Sequence, residues 1–224
     1  MRVLALDTTT RAGSVALVVD DVVVDERAGD ASRTHGERLP AELAQLGAAW
    51  DTIDVFAVAA GPGSFTGLRI GIATIQGLAL VTGKRVVGVS TLEALAQLAS
   101  AELRSGALVA AWVDAQRGEV FSALYRVADA PLFAPERLQE LESPSVASPE
   151  ATRAAWSRHN IVSAVFVGDG ASRYVPGSAE PPLLAGAIGR MAAVRAARGE
   201  SVSAAGVHPL YIRRPDAELA RDRR

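Results

Sequence analysis

"VLALDTTTRAGSVALVVDDVVVDER", residues 3–27, sets the plan of the chain. An apolar run from Val3 to Leu6 ends at Asp7, and three threonines follow. "SVALVVDDVVVDER" then reads as two strands joined by Asp20-Asp21, a dipeptide that suits a tight turn. The stretch predicts a three-stranded meander with a carboxylate at the end of its first strand. "GERLPAELAQLGAAW" puts Leu39, Leu43, Leu46 and Trp50 at helical spacing. "DVFAVAA" is an unbroken apolar strand of the kind buried at the centre of a sheet. A Gly-rich turn, "AAGPGSFTGLRIG" (59–71), opens a helix over 67–82, with Gly83 where a C-terminal cap belongs. "VVGVS" and "TLEALAQLAS" add a strand and a helix.

The second half repeats this plan. "ALVAAWVDAQRGEVFSALYRV" is again strand, Asp, Gly-containing turn and strand, and "VSAVFVGDGAS" is again an apolar strand running into a G-x-G loop. One common offset superposes Asp7 on Asp114, Gly61 on Gly168 and Gly63 on Gly170, a sign of internal duplication. Between the halves, "DAPLFAPERLQELESPSVASPE" is rich in Pro and Ser and predicts an irregular excursion, with Ser148 capping a short helix that has Pro149 at its first position. A last helix spans about 183–198 and ends at Gly199. By analogy, two such units make an α/β chain of the actin-like ATPase superfold (ASKHA, RNase H-like): two lobes, 1–104 and 105–224, each with a mixed sheet and flanking helices. A strand-terminal carboxylate beside a tight turn projects toward the cleft between lobes, where turn N–H groups can meet phosphate and the acid can hold a Mg²⁺-bound water.

The Gly-rich turn fits none of the familiar phosphate or nucleophile motifs. Counted from Gly61 or Gly63, a Walker loop lacks its Gly-Lys-Ser/Thr. The dinucleotide fingerprint meets Thr66 in place of its third Gly, and an elbow around Ser64 is flanked by Pro62 and Thr66 in place of glycines. Ser64 has no motif support as a nucleophile; Ser64 or Thr66 is instead placed to cap the helix. That helix, "GLRIGIATIQGLALVTG", carries one charge, Arg69, and is otherwise apolar or small nearly all round, so it must be covered on more than one side. Gly71 and Gly77 each cost about 1 kcal/mol of helix propensity, a loss that close packing has to offset. Gly67 and Gly71 lie one turn apart, so their face accepts a close neighbour, either the protein's own sheet layer or a partner's helix.

Composition narrows the function. The chain of 224 residues is 49% hydrophobic and has no Cys, which excludes disulfides, thiolate catalysis and Cys-ligated metals. A net charge of −2 argues against gripping nucleic acid unaided. The Arg-rich end, "YIRRPDAELARDRR", is its one basic cluster, diluted by Asp and Glu and read as a solvated terminus. No apolar stretch reaches the roughly 20 residues of a membrane span without charge or repeated Gly, and the start lacks the apolar segment of a signal peptide, so the expected location is the cytoplasm.

"LALDTTTRAGSVALV", "AAGPGSFTGLRIGIAT", "GVSTLEALA", "VDAQRGEVFSALY" and "HPLYIRRP" together resemble the bacterial TsaB (YeaZ) family of tRNA threonylcarbamoyladenosine biosynthesis, over residues 3 to about 215. The resemblance implies the actin-like fold and a non-catalytic scaffold or activator. Its partner would be a larger, metal-containing TsaD-like paralogue that transfers threonylcarbamoyl to the adenosine at position 37 of tRNAs reading ANN codons, with a TsaE-like P-loop ATPase completing the complex. It also implies docking through first-lobe helices, a homodimer when alone, tRNA contact only through the complex, and no membrane. The docking segment would be the loop and helix after it: Gly63, Ser64, Phe65, Thr66, Gly67, Leu68, Arg69, Ile70, Gly71 and Thr74.

The residues agree with a chain that is not an enzyme on its own. Paired His at helical spacing, the metal device of the catalytic relatives, is absent: His35, His159 and His208 are isolated, and no metal site is expected. His35, in "THGERLP", reads as a surface or capping residue. Asp7 with Thr8, Thr9 and Thr10 keeps the form of a first phosphate loop. Asp114 departs from the second, because "DAQRG" brings Arg117 where small residues are expected, so these six residues form a vestigial nucleotide cleft. No cofactor is required by the chain, and ATP or ADP binding stays open in the complex. The alternative is an independent actin-like enzyme, a small-molecule kinase using Asp7 and Asp114 or a glycoprotease-type metallopeptidase.

Overall fold

The computed structural model describes residues 1–213; the part of the Arg-rich end from position 214 onward lies outside the described residues. The opening meander forms β1 (Arg2–Asp7), β2 (Ser14–Val19) and β3 (Val22–Ala28). Asp20 and Asp21, at φ 48° and 67°, make the turn between β2 and β3, the left-handed pair that a two-residue hairpin demands. With β4 (Val55–Gly61) and β5 (Arg85–Ser90) they complete a sheet of order β3-β2-β1-β4-β5, antiparallel through the meander and parallel from β1 to β5. The second sheet, of order β8-β7-β6-β9, repeats the meander with β6 (Leu108–Asp114), β7 (Val120–Val127) and β8 (Leu138–Ala147), and β9 (Val165–Val167) lies parallel to β6.

Strand β8 replaces the irregular excursion expected between the halves. It runs along the sheet edge, so Glu140 and Glu142 need not alternate with apolar neighbours, and Ser143 with Pro144 bulges against the single Ala123, where a residue lacking an N–H breaks no ladder. Ser148 caps the next helix, α4 below, by accepting from the Ala151 N–H.

Alternation along the central strands decides what each face receives. On the first sheet Leu4, Leu6, Phe56 and Val58 point outward, under α1 (His35–Gln45) and α2 (Phe65–Thr82). A fully buried Leu or Phe stabilises by about 1.5–3 kcal/mol. Inward face the smaller Ala5, Ala16, Ala57 and Ala59, in one continuous core with α3 (Thr91–Ala99), the second sheet and α6 (Ala185–Ala197). Small side chains let α6 lie close: a methyl group on Gly189 would stand 2.6 Å from Val18 Cγ2. The last long helix among the described residues thus packs on the first sheet. Helices α4 (Pro149–Ala155) and α5 (Asp169–Tyr174) belong to the second half, where Trp112 and Trp156 build the outer core. The helix expected through Trp50 stops at Gln45, because Gly47 turns left-handed at φ 62°; Trp50 starts a separate short turn.

Helix α2 is long and apolar enough, by length and composition, to cross a membrane, at a mean hydropathy of 1.3. Here it lies along the first sheet. Ser64 caps its start by accepting from the Gly67 N–H, and Gly83 ends it at φ 70°. Gly67 and Gly71 face the protein's own first loop: a methyl group on Gly67 would collide with the Thr8 carbonyl oxygen, and one on Gly71 with Thr8 Oγ1. Thr8 Oγ1 also donates to the Gly67 carbonyl at 2.8 Å. The expectation that Gly67, Leu68 and Gly71 face a partner is therefore corrected, since all three are buried within the chain. Gly63 likewise abuts Thr9, where an added methyl would stand 2.5 Å from Thr9 Cβ.

Two glycines of one helix should consequently respond in opposite directions. Gly67→Ala should lower stability by about 1–3 kcal/mol through overpacking. Gly77→Ala, with nothing within 4 Å of the added methyl, should raise it by up to about 1 kcal/mol. Urea unfolding of both variants measures the contrast.

Candidate functional site: the cleft between the lobes

The two strand-terminal acids are bound into their own loops by the same bond. Asp7 Oδ1 accepts from the Thr9 N–H at 2.8 Å and from Thr9 Oγ1 at 2.6 Å. Asp114 Oδ1 accepts from the Gln116 N–H at 3.0 Å, again two residues on. Its other oxygen accepts from Gln116 Nε2 at 2.9 Å and pairs with Arg173 at 2.7 Å. These are Asx-type turns, in which a side-chain carboxylate satisfies a backbone N–H two residues on. Thr10 Oγ1 accepts from the Gly13 N–H, and the Ser64 N–H donates to the Thr9 carbonyl at 2.8 Å. Burial pushes the Asp7 carboxyl above the ordinary carboxylate range, against the two Thr9 bonds that pull it down, and the nearby Asp169 adds to the rise. Burial also raises Asp169, whose Oδ1 accepts the Asp114 N–H at 2.9 Å.

His35 is not the surface or capping residue expected. Its Nε2 lies 3.0 Å from the Thr10 carbonyl and its Nδ1 2.6 Å from an Arg38 nitrogen, so the neutral ring donates through Nε2 and accepts through Nδ1. Arg38, itself buried, also pairs with Glu42 at 2.6 Å and donates to the Ala12 carbonyl. Helix α1 thus holds the first loop at Thr10 and Ala12, and burial together with the Arg38 charge keeps the His35 pKa below its usual value. The sequence carried a signal for this network, an Arg one helical turn after a His. Among the described residues no three His, Asp or Glu side chains converge to hold a metal ion.

These loops border an open cleft of about 1200 Å³, lined by residues of both halves and by the segment Leu210 to Arg213. That segment joins the halves: the Leu210 N–H donates to the Ala60 carbonyl at 2.7 Å, Tyr211 meets Arg69, and Arg213 donates to the Ala115 carbonyl at 2.8 Å and pairs with Glu119. Of the residues expected at a nucleotide, Thr10, Asp114 and Arg117 line the cleft with Thr9, while Asp7 and Thr8 lie buried behind it. Of those expected at a docking surface, Ser64, Phe65, Thr66 and Arg69 are exposed at the cleft mouth. Ile70 and Thr74 line a separate apolar groove of about 470 Å³ between α1 and α2, with Leu39, Pro40, Trp50 and Ala73. Sequence reasoning missed the contribution of α1 to that groove and the arrival of Tyr211 beside Phe65.

Residues 29–171 match the family model "TsaD: tRNA N6-adenosine threonylcarbamoyltransferase". The chain is 42% identical over 131 residues to the tRNA threonylcarbamoyladenosine biosynthesis protein TsaB of Escherichia coli (strain K12), covering 56% of this chain and 55% of that protein. It is 35% identical over 130 residues to the TsaB of Bacillus subtilis (strain 168), covering 56% of each. The matched stretch thus spans a little over half the length of these curated relatives. A solved structure named YeaZ from Pseudomonas aeruginosa superposes at a TM-score of 0.72 and 31% identity, covering 94% of this chain and 99% of that one. A second, described as similar to peptidase YEAZ from the same organism, gives 0.74 at 31% identity, covering 95% and 99%. The two-lobed actin-like architecture is shared with them.

The lowered His35 pKa makes stability depend on pH with a definite sign. The unfolded chain takes up the proton first, so this contribution is complete above about pH 6.5 and is lost as pH falls below it. The raised Asp7 and Asp169 act in the opposite sense but are common to both proteins in a comparison with His35→Gln. The stability gap between wild type and His35→Gln should narrow from pH 7.5 to pH 5.5, as measured by thermal unfolding.

Proposed function

The chain belongs to the TsaB (YeaZ) family, within the wider TsaD family whose model it matches, and on that premise we propose that it is a non-catalytic scaffold and activator in forming N6-threonylcarbamoyladenosine at position 37 of tRNAs reading ANN codons. Its partners are a TsaD-like, metal-containing transferase and a TsaE-like P-loop ATPase in the cytoplasm, and alone it pairs with itself. The observation that carries this reading is the outer face of α1 and α2. Its groove is apolar, and beyond it Leu80 and Val81 are 76% and 88% exposed on α2. Contiguous apolar surface of this kind on a folded chain marks a site of association.

The state of the two acidic loops supports the non-catalytic half of the proposal. A kinase needs carboxylates free to hold Mg²⁺ through water. Here Asp7 and Asp114 are hydrogen-bonded inside their own turns, and Arg173 neutralises Asp114. Of the residues expected at a nucleotide, ATP or ADP would meet this chain at Thr9, Thr10, Asp114 and Arg117 on the cleft wall, as a passive contribution to a site completed by the complex.

Reconstitution of tRNA modification from transferase and ATPase, with and without this chain, tests the reading; full modification in its absence would overturn it. The surface is tested by Ala73→Arg, which puts a charge on the exposed groove wall. It should weaken both self-association and transferase binding by at least about tenfold, roughly 1.4 kcal/mol, with thermal stability unchanged. Sedimentation velocity gives the first number and a melting curve the second.

A further inference from the structure

The mouth of the cleft carries a chemistry that the acidic loops do not use. Arg11, Arg33 and Arg69 line it from three different segments, all are exposed, and among the described residues none of the three forms an ion pair. Each donates to a neutral oxygen instead: Arg11 to the Ala31 carbonyl at 2.8 Å, Arg33 to the Glu37 carbonyl at 3.1 Å, and Arg69 to the Tyr211 hydroxyl at 3.1 Å. Of the acids nearby, Asp114 and Asp169 are occupied by Arg173, Gln116 and a backbone N–H, while Asp30 and Glu37, whose charges Arg33 feels, are hydrogen-bonded to Ser32 and Thr34. Beside the arginines stands an exposed stack. The Arg69 guanidinium lies 3.9 Å from the centre of the Phe65 ring, and the Tyr211 ring follows 5.2 Å from Phe65 at 32°. Phe65 and Tyr211 remain 39% and 41% exposed.

Cations that form no close ion pair among the described residues, beside an exposed cluster of aromatic and guanidinium planes, are the two parts of a single-strand nucleic-acid site, one for backbone phosphate and one for stacked bases. We infer that the cleft mouth binds single-stranded RNA, with a base on the Arg69–Phe65–Tyr211 column and backbone phosphates at Arg11 and Arg33. A polymer fits better than a mononucleotide. The deep loops that would grip a triphosphate are closed on themselves, the cations are spread along the rim, and about 1200 Å³ exceeds the roughly 300–1,000 Å³ of small-ligand sites. The choice of RNA over DNA rests on the proposed role in tRNA modification. With a net charge of −2 the grip of the lone chain is weak and salt-dependent, and it serves to position a strand already held by the complex.

The test is fluorescence anisotropy of the full chain with a short unpaired oligoribonucleotide, at low and at physiological salt. Arg11→Ala and Arg33→Ala should each weaken binding and reduce the log–log salt slope by about 0.7, because each leaves one phosphate unneutralised. Phe65→Leu should weaken binding about tenfold with the salt slope unchanged; if Phe65→Leu fails to fold by thermal melting, Tyr211→Leu reads the same column. No saturable binding at low salt overturns the inference, as does binding that these variants leave intact. Displacement by equimolar ATP, or equal affinity for the matching DNA strand, also overturns it. Full tRNA modification by the reconstituted complex despite absent RNA binding would sink the inference and leave the scaffold role standing, whereas modification without the chain would sink the scaffold role itself.

Discussion

Where α2 passes Thr8, the helix and the first loop are too close for any side chain: a methyl at Gly67 or Gly71 would strike the Thr8 carbonyl or hydroxyl. That approach fixes three things together. It orients the Thr8 hydroxyl into the helix, where it donates to the Gly67 carbonyl. It brings the start of α2 against Thr9, whose carbonyl takes the Ser64 N–H and whose own N–H and hydroxyl turn back to Asp7. It also presses the glycine side of α2 inward, so that Ile70, Ala73 and Leu80 are what the helix offers outward. A closed acidic loop and an outward apolar face are two results of one close approach.

The second half shows the same device with a smaller outcome. Gly61 and Gly168, equivalent under the duplication, adopt φ of 108° and 109°. A methyl at Gly170 would stand 2.9 Å from the Val113 backbone, much as Gly63 abuts Thr9. Asp114 bonds Gln116 as Asp7 bonds Thr9. Yet the helix that follows, α5, has 6 residues against 18 in α2. The loop geometry survives duplication because it is local to a few backbone atoms. The long apolar helix does not, and among the described residues the first half alone has such a surface to offer.

What was legible in the sequence followed from local chemistry. Strand-terminal Asp7 and Asp114, the Asp20-Asp21 turn, the Ser64 and Gly83 caps and the repeat offset are each set by neighbours a few residues away. Strand β8 was hidden because no residue of this edge strand is fully buried: Leu138, Leu141 and Val146 are only partly covered, and Glu140, Glu142 and Pro144 interrupt any strict alternation. The glycine face of α2 was legible as a close-packing face, but its neighbour, Thr8, lies 59 residues earlier, and no periodicity says which element fills such a notch. The same holds for His35 with Thr10 and for Tyr211 with Phe65. Both pairings are made by the fold alone.

The cleft differs from a closing jaw for a reason that lies in the core. Lobes that close over a ligand need a hinge with little shared packing. Here α6, from the far end of the chain, lies on the first sheet and shares one apolar core with α3 and the second sheet. Across the mouth, Leu210 is bonded to Ala60 in the first half while Arg213, three residues on, is bonded to Ala115 and Glu119 in the second. Opening the cleft would break that segment and part the second sheet from α3, which packs on both sheets, exposing apolar surface that is now buried. The shared core and the Leu210–Arg213 segment hold the rim arginines and the outer face of α2 in a fixed relation, which is what the proposed platform for a partner protein and a strand would need.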